Sequence, residues 1–216
     1  MLFRSGRITA GIRACGLEVR GQRVLLKPNL VEFDPATCIN TNVAVIAAAY
    51  DVFKTLGAAE VRIGEGPGHR RDTYALAEMA RYRSDIRNFD SLFVDLNRDD
   101  VSPIVGFADR GEIYLPNSAL RADLIVSLAK MKTHHWAGAT LSMKNFFGLV
   151  PGCVYGWPKN ELHQVGIDPL KLAYLQMASD GLGVTDESRI EQRGEPIRAV
   201  RTNFQLIDQF REIRLA

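Results

Sequence analysis

Arg23-Val24-Leu25-Leu26-Lys27-Pro28, the stretch Asn42–Leu56 and the run Glu60-Val61-Arg62-Ile63 are the passage on which the fold turns. Arg23–Lys27 is rich in strand-forming residues, and Pro28, which lacks the N–H needed to continue a ladder, predicts its end. Between the two runs Val43, Ile46, Ala47, Tyr50, Phe53 and Lys54 recur at spacings of three and four, and Gly57 follows as a stop. That spacing predicts a helix with one buried face. Strand, helix and strand in this order are the signature of a βαβ crossover, so the expected fold class is α/β, a mainly parallel sheet with flanking helices.

Working outward, Arg7–Cys15 reads as a short helix. After Ile63 comes Gly64-Glu65-Gly66-Pro67-Gly68-His69, and then Asp72–Tyr82, a helix that Asp72 can cap and that should bury Leu76, Met79 and Ala80. Ser91–Leu96 is expected as a third strand, and Glu112–Leu115 as a fourth after a polar turn at Asp109-Arg110-Gly111. The nearly continuous apolar run Asp123–Leu128 suits the centre of the sheet. Val61, Ile63, Ile125 and Val126 should then be buried, since both faces of such a sheet are covered. Ala139–Phe147 reads as a short helix ended by Gly148 and Pro151, Gly152–Gly166 as a long loop, and Pro169–Ser179 as an amphipathic helix before a short strand around Ile190. Residues 1–167 are expected to form an α/β domain with a ligand crevice, and 168–216 a C-terminal helix and tail packing on that domain.

With 46% apolar and 24% charged residues in 216, the chain has the composition of an ordinary globular protein. A net charge of +2 with interleaved signs gives no track for nucleic-acid phosphates. No apolar run reaches the roughly 20 residues that span a bilayer, and Met1–Arg13 lacks the apolar block of a secretory signal, so a cytoplasmic protein without membrane partners is expected. Cys15, Cys38 and Cys153 are an odd number at wide spacing, which suits reduced structural thiols better than a disulfide framework, a zinc site or an iron–sulfur cluster.

Loops that follow parallel strands converge on one sheet edge, where ligands bind in doubly wound folds. Lys27-Pro28-Asn29 offers a point charge for phosphate or carboxylate, or simply a solvated lysine. Gly64–His69 allows close backbone approach at Gly66 and Gly68 before a helix N-terminus that attracts anions, or is a plain tight turn. Its spacing is neither the dinucleotide fingerprint nor the P-loop. Lys130-Met131-Lys132-Thr133-His134-His135 follows the most apolar strand, and Lys144-Asn145 lies ten residues beyond His134. His69 and His134 titrate near neutrality and, meeting across one crevice, can remove and return a proton on opposite faces of a substrate. Metal ligation by His69, His134, His135 and His163 is the competing use, although no HExxH or Cys/His spacing supports a preformed site.

Val24-Leu25-Leu26-Lys27-Pro28-Asn29-Leu30-Val31, Ile63-Gly64-Glu65-Gly66-Pro67-Gly68-His69 and Lys132-Thr133-His134 through Lys144-Asn145-Phe146-Phe147-Gly148 resemble the domain of unknown function 362 family over residues 17 to 167. Some members of that family look like fusions to ferredoxin-type modules, which implies an iron–sulfur redox partner; the cysteine-rich stretch for a cluster of its own is absent here. His134-x-x-Ala137-Gly138 followed by Lys144, and Gly68-His69-Arg70 after a strand, are similar to elements of the nickel-pincer lactate racemase family. There the lysine tethers the pincer cofactor and histidines serve as acid/base groups or nickel ligand. Thr140-Leu141-Ser142-Met143 stands where that family has Ser-Gly-Gly-Arg, so the resemblance implies the crevice and not the nickel. Near Ile167-Asp168 the 362 family continues into further strands and an acidic, glycine-rich stretch, whereas this chain passes directly to Asp168-Pro169. The expectation is an incomplete version of a larger two-lobed fold, whose uncovered surface would favour a homo-oligomer.

Two functional readings follow. One is an enzyme moving a proton or hydride at a small carboxylate-bearing substrate in the manner of a racemase or isomerase, with His69, His134 and Lys144 catalytic. Lys27, Asn29, Glu65, Gly66, Gly68, Arg70, Lys130, Lys132 and Asn145 would then bind the small anion. The other is a non-catalytic ligand- or cofactor-binding module working with an iron–sulfur partner.

Overall fold

The computed structural model describes residues 2–68, 71–107, 111–134 and 138–156. In chain order these hold α1 (Leu2–Ala14), β1 (Arg23–Pro28), α2 (Val43–Thr55), β2 (Glu60–Glu65), α3 (Thr73–Met79), α4 (Tyr82–Asp85), α5 (Phe89–Leu92), β3 (Phe93–Asp95), β4 (Val101–Phe107), β5 (Gly111–Pro116), α6 (Asn117–Leu120), β6 (Leu124–Leu128), β7 (Lys132–His134), β8 (Gly138–Thr140), α7 (Ser142–Asn145), a 3-10 turn (Phe146–Leu149) and α8 (Gly152–Tyr155). The expected helix and strand from Pro169 onward lie outside the described residues, as does the segment 168–216.

The sheet is parallel throughout, in the order β3-β2-β1-β6. Side chains alternate between its faces, as the two-residue strand period requires. Val24, Leu26, Val61, Ile63, Leu124 and Val126 enter one core with Ile46, Phe53 and Leu76, while Leu25 and Ile125 enter another with Leu96, Phe146 and Leu149. Val61, Ile63, Ile125 and Val126 are all buried, as the apolar runs predict. The chain leaves β1 toward β2 on one side and returns later to place β6 on the other. The carboxyl ends of β1 and β6 therefore form a topological switch point, the crevice position of doubly wound folds.

Several local expectations change. The run Asp123–Leu128 is not central: among the described residues β6 pairs only with β1 and forms an edge, although Leu124, Ile125 and Val126 are buried between the two cores. The first strand does not end at Lys27 as expected: Pro28 is its last residue, opposite Leu128. Asn42 caps α2, its side chain accepting from Ala44 N, and the inner face is Ile46, Ala48, Ala49, Val52 and Phe53, with Lys54 outside. The helix expected over Asp72–Tyr82 stops at Met79, because Arg81 adopts φ 63° and redirects the chain into α4. That turn carries the Tyr82 side chain inward, where its hydroxyl donates to Thr41 O at 2.7 Å. Met79 is consequently exposed, and Ala77 joins Leu76 inside.

Only Phe93–Asp95 of the expected third strand is extended, following the helical turn α5. The fourth strand lies outside the main sheet. It is β5, paired antiparallel with β4, a strand that Pro103 and Gly106 conceal in the sequence because both residues are depleted in strand interiors. The expected helix over Ala139–Phe147 is instead the end of the β7–β8 hairpin, one helical turn and the 3-10 turn. Cys38 and Cys153 are exposed rather than structural, and Cys15 is half-buried.

Candidate functional site

Lys27 has the same parity as Leu25, so it points to the sheet face covered by Phe146 and Leu149. It is fully buried. An ammonium taken from water needs a partner, and Glu65, the last residue of β2, supplies one: Lys27 Nζ lies 2.5 Å from Glu65 Oε1. The same ammonium donates to Pro28 O at 2.9 Å. Glu65 is saturated in turn, accepting from Gly66 N at 2.8 Å and from Leu30 N at 2.7 Å. Burial lowers the Lys27 pKa while the Glu65 carboxylate pushes it back up. Lys27 is therefore placed as a buried ion-pair partner rather than as a solvated charge.

Asn145 ties this pair to the switch point. Its side-chain amide donates to Lys27 O at 2.8 Å and to Ser127 Oγ at 3.0 Å, joining the ends of β1 and β6 where Lys27 and Ser127 are in register. Its Oδ1 accepts from Asn29 Nδ2 at 3.4 Å. Asn29 N donates to Thr41 Oγ1 at 2.8 Å, and Thr41 Oγ1 donates to Leu128 O at 2.5 Å, a second clamp across the same two strand ends.

Two glycines owe their presence to packing around this cluster. A Cβ on Gly148 would sit 2.6 Å from both Glu65 Oε1 and Lys27 Nζ, and one on Gly66 would sit 2.7 Å from Gly148 O. Gly66 also abuts Asn97, whose side chain holds Pro67 O and Gly152 N at 2.7 and 3.0 Å. The N-terminus of α3 is already occupied, since Asp72 Oδ1 accepts from Ala75 N at 2.9 Å. The glycine loop thus resembles a fitted turn more than an open anion cradle.

At this edge neither Lys132 nor Lys144 has an ion-pair carboxylate among the described residues. Lys132 is half-buried and donates to Ile39 O at 3.0 Å. Its pKa is lowered by burial, with Glu65 and Glu32 opposing and Lys130 adding to the shift. Lys144 Nζ lies 4.3 Å from the centroid of the Phe147 ring and has no ion-pair or hydrogen-bond partner among the described residues. Burial, then the ammoniums of Lys132 and Lys27, bring Lys144 down to about 8. Two further polar atoms near this turn are buried without a partner among the described residues, Asn29 Oδ1 and Ser142 Oγ.

Of the residues singled out in the sequence, Lys27, Asn29, Glu65, Gly66, Lys132, Lys144 and Asn145 are brought to one sheet edge, with Lys130 beside Lys132. Gly68 is half-buried in the bend after Pro67. His134 is placed by its backbone alone, in β7 opposite Gly138. His69, Arg70, His135 and His163 lie outside the described residues. Thr41, Asn97, Ser127, Ser142 and Gly148 complete the cluster and carry no local signal, because each acquires its role from a segment far away in the chain.

No described helix is long and apolar enough to cross a membrane, and no group of three or more metal-ligating side chains occurs among the described residues. The architecture defines the class: a parallel α/β protein whose switch point is closed by a buried Lys–Glu pair and overlooked by Lys132 and Lys144, which have no ion-pair carboxylate among the described residues. The model of the family described as Domain of unknown function (DUF362) matches residues 24–208, and the chain belongs to that family. The chain is also similar to the thylakoid-associated protein sll1697 of Synechocystis sp. (strain ATCC 27184 / PCC 6803 / Kazusa), with 28% identity over 138 residues, 63% of this chain and 42% of that protein. It therefore spans less than half the length of that relative. No solved structure matches the chain.

Proposed function

We propose that the chain binds a small carboxylate- or phosphate-bearing molecule at the carboxyl ends of β1 and β6, with Lys132 and Lys144 taking its negative charge. One observation carries this reading: the ammoniums of Lys132 and Lys27 act on Lys144, and no carboxylate among the described residues neutralises it. Like charges held together in a poorly solvated place destabilise the empty site, and an anion that neutralises them recovers that energy on binding. An amine near neutrality at such a place also suits it to accept a proton from the bound molecule, a racemase- or isomerase-like role, with His69 and His134 as further acid/base candidates. Where binding occurs without chemistry, the same site serves a ligand-carrying module, for which an iron–sulfur protein is the candidate partner.

The test is thermal unfolding of the wild type, Lys144→Met and Lys132→Met with sulfate, phosphate and a series of 2-hydroxy acids. Anions raise the wild-type midpoint and leave the variants unmoved; equal shifts in all three proteins overturn the proposal. Exchange of the α-hydrogen of a stabilising acid in deuterated water then separates the enzyme from the module.

A further inference from the structure

The surroundings of Lys144 suit it to more than charge recognition. Among the described residues its amine has neither an acceptor nor a carboxylate. The buried carboxylate of the cluster, Glu65, is already committed to Lys27, Leu30 and Gly66. The Phe147 ring, whose centroid lies 4.3 Å from the amine, offers a cation–π attraction but no counter-charge. Lys132 is in a different position, since its ammonium is anchored on Ile39 O and stays available to an anion from a fixed point.

We infer that Lys144 is a reactive amine that forms a reversible imine with a small carbonyl compound bearing a carboxylate or phosphate, the anionic group resting on Lys132. This inference rests on the anion-binding reading above and names the class of molecule that the site takes. The neutral amine attacks the carbonyl carbon and the C=O π bond opens to a carbinolamine. Both amine hydrogens then leave with the carbonyl oxygen as water, and the C=N bond forms. No oxidant or reductant is consumed. A lysine with an unshifted pKa is almost wholly protonated near neutral pH and nucleophilically silent, whereas one beside other cations and an aromatic wall keeps a usable neutral fraction. The anion on the incoming carbonyl compound offsets the like charges as it arrives, so binding and reaction favour each other.

The experiment incubates the full chain with pyridoxal 5′-phosphate or glyoxylate, fixes imines with borohydride and maps the adducts by peptide mass spectrometry. Adduct at Lys144 is expected to form at least about tenfold faster than at exposed Lys54. Lys132→Met removes one of the cations that lower the Lys144 pKa and so slows labelling by either aldehyde, but it should slow pyridoxal 5′-phosphate several-fold more than pyridoxal, which lacks the phosphate; equal slowing of the two would overturn the placement of the anion on Lys132. Labelling of lysines in proportion to their exposure, or Lys144 left unmodified, overturns the inference, and mapping the wild type requires no variant to fold. Sulfate stabilisation measured on the same samples separates the two proposals. Stabilisation without an adduct at Lys144 removes the imine and keeps the anion site, and the absence of both removes both.

Discussion

Lys27 and Lys144 approach the same sheet edge and meet opposite surroundings. Lys27 is matched by Glu65, and each remaining atom of that pair is hydrogen-bonded. Replacing Glu65 alone by leucine strands a buried ammonium and two backbone N–H groups, which costs about 3–5 kcal/mol. The double variant Lys27→Met, Glu65→Leu should recover part of that loss in urea unfolding. Additive losses would show the pair to be uncoupled. Among the described residues Lys144 has no such partner, and the sign of its pH dependence follows. Below about pH 8 it is charged in both folded and unfolded chains, so the folded state bears the full cost of confining the charge. Between about 8 and the ordinary value of 10.5 the folded amine is neutral while the unfolded one keeps its proton, so stability rises with pH. Lys144→Met should therefore stabilise the protein at pH 7 by roughly 1–2 kcal/mol, a shift discounted for solvent screening, and the gain should shrink as pH approaches 10.5. An equal difference at pH 7 and pH 10 would contradict the assignment.

At the scale of elements, the ends of β1 and β6 are held by side chains rather than by the ladder alone. Thr41 accepts from Asn29 N, donates to Leu128 O and has its own carbonyl held by Tyr82. Thr41→Val keeps the shape and leaves both partners of the hydroxyl unsatisfied, at about 1–3 kcal/mol for each buried group. Hydrogen exchange at the Asn29 amide should accelerate in that variant while the amides of Val24 and Leu25 follow global unfolding; unchanged protection at Asn29 would show the clamp to be dispensable. The strands and helices that proved legible were those with strong periodicity, Arg23–Lys27, Asn42–Leu56 and Glu60–Ile63. Their alternation and caps are local properties. The strand β4 was hidden by Pro103 and Gly106, and the edge position of β6 was unreadable because an apolar run states that it is buried, not how many neighbours it has. The break at Arg81 depends on where Tyr82 must reach, which no nearby residue announces.

At the scale of the molecule, the parallel order β3-β2-β1-β6 delivers Lys27, Glu65, Lys132, Lys144 and Asn145 to one edge, and this convergence was legible because loops after parallel strands leave from the same side. The division of labour among those residues was not. Lys27 and Glu65 both read as polar residues free for a ligand until burial and a 2.5 Å contact paired them, which left Lys132 and Lys144 as the charges of the cluster with no ion-pair partner among the described residues. The most direct measurement of that division is calorimetric titration with sulfate at pH 8 in buffers of different ionisation enthalpy. Sulfate keeps its charge in this range, so proton uptake on binding reports an amine whose pKa rises as the anion arrives. Uptake of roughly half a proton near pH 8, absent in Lys144→Met, is the expected result for an amine half-protonated before binding. Binding without proton uptake, or the same uptake in both proteins, would contradict the placement of the anion on Lys144.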